Sequence, residues 1–161
     1  MLALLGAADG TGAVPGRRVA LTGLGVVASC GIGKDAFWTG LLREPPDGIR
    51  RVEGFDATPF FGPKEVRRVD RFTQFAVAAA EQALEDAGGR DELAGDPDRA
   101  GVIIGSGVGG LESLESQMSV FLEKGPRRVS PFLVPMMMAN AGAAAVSMRY
   151  GFRGPCETTV T

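Results

Sequence analysis

Twice in this chain a short run of branched apolar residues ends in a cluster of glycines. RRVALTGLGVV (17–27) is the first, and AGVIIGS (100–106), running on into GVGG, is the second. Branched residues favour buried strands, and glycine permits the tight turn or close backbone approach where such a strand ends. Helical spacing follows each run. KDAFWTGLLRE (34–44) repeats apolar residues through Phe37, Trp38, Leu41 and Leu42. Leu111, Leu114, Met118, Phe121 and Leu122 stripe a second helix, with Glu112 and Glu115 in its first turn and Gly125-Pro126 at its end. Strands alternating with helices predict a layered α/β architecture with a mostly parallel sheet.

Between these units, residues 45–65 are punctuated by Pro45, Pro46, Gly48, Gly54, Pro59, Gly62 and Pro63, which predicts a long irregular connection. The clearest helix follows it. Asp70 is placed to cap it, Phe72, Phe75, Ala76, Ala79, Ala80, Ala83, Leu84 and Ala87 keep the spacing of one face, and Gly88 closes it. The small alanines predict close packing of that face on a sheet. PMMMANAGAAAVSMRY (135–150) is apolar nearly all round, with Pro135 suited to the first helical position, so it reads as one buried helix. Asn140 is its exception and would need an interior partner. The last segment, GPCETTVT (154–161), reads as a turn feeding a strand.

Composition narrows the chemistry. With 17 basic and 19 acidic residues the formal net charge is −2, which makes no general electrostatic case for nucleic acid or an anionic membrane. A spanning helix needs about 20 apolar residues, and no such run is uninterrupted here. MLALLGAADGTGAVPG lacks the basic start of a signal peptide, so residues 1–16 are expected to be a flexible extension and the location cytoplasmic. Cys30 and Cys156 stand in no paired spacing, which predicts neither a disulfide framework nor a zinc site. Histidine is absent, so this chain by itself holds no Ser/His pair and no His-based metal site. No metal or cofactor is expected. Glycine, 24 of 161 residues, is about twice its ordinary share and clusters at strand ends.

Gly23-x-Gly25-x-x-Ala28 and Gly105-x-Gly107-x-x-Gly110 imitate a dinucleotide fingerprint. Pyrophosphate binding needs a helix opening at the loop and an acidic residue about 20 positions on, ending the next strand. Another turn follows Ala28. The second loop does open a helix, but Glu123 to Gly125 fall at a helix end. A dinucleotide-binding module therefore stands as the weakest of the readings.

The wording RRVALTGLGVV, GVIIGSGVGGL, GPRRVSPFLVP, the apolar helix and YGFRGPCETTVT, in this order from Arg17 to Thr161, resembles the amino-terminal portion of β-ketoacyl-acyl-carrier-protein synthases of the synthase II type. The resemblance implies a thiolase-like α/β/α layering of which 17–161 is a partial domain. It implies decarboxylative Claisen condensation of an acyl thioester with a malonyl carrier in fatty acid biosynthesis. In that family a nucleophilic cysteine stands two positions beyond the residue matching Thr161, and two histidines and a lysine lie further on. The 161 residues alone are therefore expected to be inactive. Cys156 at the start of its strand and Cys30 in a glycine turn are not expected to substitute for the nucleophile.

Residue by residue, Val108, Leu111, Leu133, Val134 and Met138 match positions lining an acyl pocket at the family's dimer interface. Leu133 stands where phenylalanine is common, so the accepted chain length is left open. Lys64, Arg67, Arg68, Arg127 and Arg128 match basic positions that receive the acidic acyl carrier protein. The implied partners are that carrier and a second copy of the chain, or a complementing carboxy-terminal portion. An isolated chain is expected to be poorly soluble or oligomeric. A non-catalytic chain-length-factor-type partner of a polyketide system, sharing the fold, is the alternative.

Overall fold

A computed structural model describes residues 19–45, 47–89 and 96–160. The expected extension, residues 1–16, and Thr161 lie outside them. The first described segment is a correction to expectation. Residues 19–26 are extended but join no strand, and Val19 and Leu21 are exposed. Pairing is confined to a small antiparallel hairpin, β1 (Val27–Ala28) with β2 (Gly31–Ile32), turning at Ser29-Cys30. Helix α1 (Lys34–Leu41) follows at once.

The extended segment lies on helix α2 (Arg71–Asp86). A side chain at Gly25 would stand 1.8 Å from the Ala79 carbonyl oxygen, and one at Gly23 2.0 Å from that of Ala83. The alanine face thus holds a bare strand-like backbone, as small residues allow. The segment's amides find side chains instead of a neighbouring strand: Leu24 N–H donates to Asp86 Oδ2 and Val26 N–H to Gln82 Oε1, each at 3.0 Å. An unpaired amide in that contact would carry a desolvation cost, so these two acceptors stand in for a sheet partner.

Asp86 also pairs with the Lys34 ammonium. That hydrogen bond, then the one from Leu24, hold the Asp86 carboxyl below its ordinary 3.8, and the same pairing raises Lys34 above 10.5. A lowered carboxyl contributes stability above its ordinary value and loses it as pH falls through the folded one; a raised ammonium contributes below its ordinary value and loses it on the alkaline side. Asp86→Asn is therefore expected to unfold at lower denaturant than the parent near neutrality. The gap should close below pH 3.8 and again above 10.5. A gap constant with pH would assign the loss to packing.

Helix α2 is buried on more sides than its stripe foretells. Its most enclosed residues are Thr73, Gln74, Val77 and Ala78, none of them on the predicted face. Three neighbours cover it: the extended segment, the 55–61 stretch of the irregular connection, and helix α5 (Ala141–Tyr150). Gly142 makes the last contact close, since a Cβ there would lie 3.3 Å from the Phe72 ring and 3.4 Å from Ala76 Cβ. Ala57, Phe61, Val77, Val102, Ala143, Val146 and Tyr150 form the core cluster. The irregular connection is pinned by Arg71, whose guanidinium sits 5.0 Å from the Phe55 ring and 4.9 Å from that of Phe75 and donates to the Val52 carbonyl at 3.3 Å.

Strand β3 (Val102–Gly105) pairs in parallel with β4 (Cys156–Thr159), in the register Val102 to Cys156 and Gly105 to Thr159. Helix α5 packs on both strands. Helices layer on a sheet as expected, but in the order sheet, α5, α2: the alanine face of α2, expected to pack on a sheet, packs instead on the 19–26 segment and on α5, whose glycine and alanines let it approach. Burial departs from expectation on the far side of the sheet, where Ile103 is 70% exposed and Glu157, its partner in the register, is exposed, because no layer among the described residues covers that face; Cys156, which shares the face of Val102, is exposed as well. Helix α3 (Leu111–Lys124) forms as predicted, with Glu112 and not Glu115 in its first turn. Its stripe of Leu111, Met118, Phe121 and Leu122 is exposed.

The single helix expected over 135–150 is two. Helix α4 (Leu133–Met137) stops at Met138, whose ψ of 131° is extended, and α5 starts after Asn140. Pro135 is the third residue of α4, not the first. Asn140 is exposed and makes no side-chain cap, so it needs no interior partner. The helix-compatible composition hid the break because no proline or glycine marks it.

Candidate acyl pocket and docking surface

Loop 106–110 and the break between α4 and α5 meet backbone to backbone. Gly110 N–H donates to the Met137 carbonyl at 3.1 Å, and a Cβ on Gly109 or Gly110 would meet the Met137 or Met136 carbonyl at 2.4 or 2.3 Å. Gly109, at φ 87°, is in the left-handed region that glycine tolerates, and its N–H is held by Ser106 Oγ at 3.0 Å. The contact brings Val108 and Leu111, on one side, to the segment bearing Leu133, Val134 and Met138, on the other. Val108 and Val134 are each 62% exposed, Leu111 and Met138 about half, and Leu133 is half-buried. The two segments that meet at this backbone contact thus carry the five apolar side chains that the resemblance singles out, and four of them are exposed among the described residues.

Asp70, beneath this contact, does more than cap α2. Asp70, 4% exposed, accepts from Phe72 N–H through Oδ1 at 3.0 Å, which is the expected cap of α2. Its second oxygen accepts from Ser113 N–H at 2.8 Å, in the first turn of α3 and 43 positions away. No local pattern signals the second bond.

The basic residues are all exposed. Lys64 precedes, and Arg67 and Arg68 belong to, a turn of 3-10 helix over Val66–Arg68; Arg127 and Arg128 close another over Pro126–Arg128. Gln74 holds the first turn by donating to the Val66 and Val69 carbonyls at 3.4 and 3.3 Å. Gln117 holds the second, its Oε1 accepting from Ser130 N–H at 2.7 Å. The Arg68 guanidinium lies 4.6 Å from the Phe132 ring centroid and so ties the first cluster to the segment that follows the second. Among the described residues none of the five forms an ion pair, in contrast to Lys34, Arg149 and Arg153.

Elsewhere the chemistry is structural. Tyr150 donates to Glu81, which also pairs with Arg149 at 3.3 Å; burial, then the Glu81 carboxylate, push the tyrosine well above its usual range. An open cleft of about 840 Å3 beside the hairpin is lined by residues of mixed charge, including Cys30, Arg43, Asp47 and Arg50, and by none of the candidate site residues. Neither glycine loop is free for pyrophosphate. The first lies in the extended segment and hairpin, with no helix opening from it, and in the second the Gly109, Gly110, Leu111 and Ser113 amides are already bonded within the protein. Among the described residues no cluster of three or more metal-ligating side chains occurs, and no helix is long and apolar enough to cross a membrane.

The layering is that of the thiolase-like ketosynthases. A ketosynthase bound to a hexaketide, solved with its type II PKS acyl-carrier protein, superposes with a TM-score of 0.71 at 24% identity, over 86% of this chain and 40% of its own. The ishigamide ketosynthase/chain length factor gives 0.70 at 22%, over 88% and 39%, and a beta-ketoacyl synthase from Burkholderia phymatum 0.62 at 22%, over 88% and 38%. At such identities the likeness establishes the fold. Residues 47–161 match the family described as beta-ketoacyl synthase, N-terminal domain, and the chain belongs to that family. Proteins named 3-oxoacyl-acyl-carrier-protein synthase 2 are similar over 90% of the chain: 41% identical in Synechocystis sp. and 38% in Rhizobium meliloti. The chain spans 38% and 40% of those two relatives.

Proposed function

We propose that this chain is the amino-terminal part of a 3-oxoacyl-acyl-carrier-protein synthase 2, an acyltransferase that extends fatty acyl chains by decarboxylative condensation with malonyl carrier. The 41% identity to the Synechocystis synthase carries the reading. Within such an enzyme these residues bind and do not perform bond chemistry. The condensation needs a thiolate to take the acyl group and histidines to steady the enolate left when malonyl carrier loses carbon dioxide. The proposal assigns those groups to residues outside these 161.

The apolar region of Val108, Leu111, Leu133, Val134 and Met138 suits a fatty chain, because each buried methylene is worth about 0.8 kcal/mol. A second copy of the chain would complete its wall and cover the exposed stripe of α3. Lys64, Arg67, Arg68, Arg127 and Arg128 suit an acidic carrier protein, whose charges would find unpaired cations on two braced turns. A cytoplasmic location fits this substrate supply.

A chimera tests the reading directly. Residues 17–161 would replace the matching portion of the Synechocystis synthase, and condensation of acyl carrier with malonyl carrier would be measured. The expected result is activity within about tenfold of the parent, since core exchanges that keep volume and pattern are tolerated. A folded dimer that binds carrier but condenses nothing would overturn the reading and favour the non-catalytic polyketide partner.

A further inference from the structure

Asp70 stands where the two halves of the candidate site meet. It follows Arg67 and Arg68 with only Val69 between, and its two oxygens serve two helices, Oδ1 the amino terminus of α2 and Oδ2 that of α3. A Cβ on Gly110 would lie 3.0 Å from Asp70 Cγ, so the carboxylate sits directly under the loop that carries Val108. A buried carboxylate is costly unless its lone pairs are used, and here both oxygens accept backbone N–H bonds at helix starts, where the dipoles favour negative charge. Breaking either bond would release one helix start from the other.

From this geometry we infer that Asp70 is a positioning residue for the acyl pocket: by capping α2 and α3 with one carboxylate, it locks Val108 and Leu111 in place against Met136–Met138 and holds that wall in fixed relation to the arginines before it. The inference rests on the function proposed above. A long acyl chain, which must contact the whole wall, depends on this lock more than a short chain that reaches only part of it. The Arg68 contact with Phe132 is a second tie between the same two regions, so the carrier-docking turn keeps its place when the Asp70 bond to α3 is lost.

The test uses the active chimera with Asp70→Ser and Asp70→Asn. Serine retains a cap for the nearby Phe72 N–H but is too short to reach Ser113; asparagine keeps the shape and replaces one acceptor by a donor. Both variants are expected to lose at least about tenfold in kcat/KM for hexadecanoyl carrier and under about twofold for octanoyl carrier, since small misplacements of a binding wall are costly to the substrate that uses it. The KM for malonyl carrier is expected to stay unchanged. An equal loss for both chain lengths, no loss, or failure of both variants to fold would each overturn the positioning role. An inactive parent chimera would instead remove the function on which it rests.

Discussion

Gly25→Ala is expected to prevent this fold from forming. The added methyl would stand 1.8 Å from the Ala79 carbonyl oxygen and within 2.8 Å of the Ala79 carbonyl carbon and the Ala83 nitrogen. All three are backbone atoms of α2 and cannot rotate away as a side chain would. The extended segment would have to lift by more than an ångström, and that movement breaks the Leu24 bond to Asp86 and the Val26 bond to Gln82. Overpacking alone costs about 1–3 kcal/mol where side chains can adjust. Adding two lost hydrogen bonds, one to the half-buried Val26 amide and one to the exposed Leu24 amide, at up to about 1 kcal/mol each, brings the total toward the lower end of a small domain's whole stability. Gly62→Ala is the control, because a Cβ there meets nothing within 4 Å. Amide exchange at Leu24 and Val26 reads the difference: lost protection is expected for Gly25→Ala and parental protection for Gly62→Ala. Parental protection in both would show that the segment does not rest on α2 as described.

Reversing Arg67, Arg68, Arg127 and Arg128 together to glutamate is expected to lower kcat/KM of the chimera for acyl carrier by about a hundredfold at low salt, the span that steering adds to an unsteered encounter. The loss should shrink toward parity as salt rises, since exposed charges are screened beyond about 10 Å at 0.1 M. Reversing Arg50 and Arg51, which are exposed but lie outside the site, separates place from net charge. That pair is expected to change the rate by less than threefold, within the ordinary scatter of remote charges. A comparable loss from both sets, or a loss indifferent to salt, would remove the docking role from the two turns.

Local order was written plainly in the residues. The Asp70 cap and the alanine face of α2, the glycine that ends α3, the branched residues of β3 and the turn into β4 each obey rules that act within a few positions. Four features were not legible there, and each depends on a partner far away in sequence. Residues 19–26 have the composition of a strand, but strand pairing needs a neighbour, and Asp86 and Gln82 take the amides instead. The stripe of α3 has the spacing of a buried face, but burial needs cover. The break at Met138 follows from backbone contact with Gly109 and Gly110, which nothing in the methionine run announces. The second bond of Asp70 joins helix starts 43 positions apart.

Resemblance in the sequence identified the family and named every residue of the candidate pocket and docking turns, because apolar and basic side chains keep their chemistry whatever surrounds them. Only tertiary structure decided that the loop between Val108 and Leu111 meets the end of α4 through bare glycine backbone, and that one buried carboxylate holds two helices at that place. The reason is that periodicity and capping are short-range, set by neighbours one or two helical turns away, whereas the closeness of two backbones depends on every element that packs between and around them.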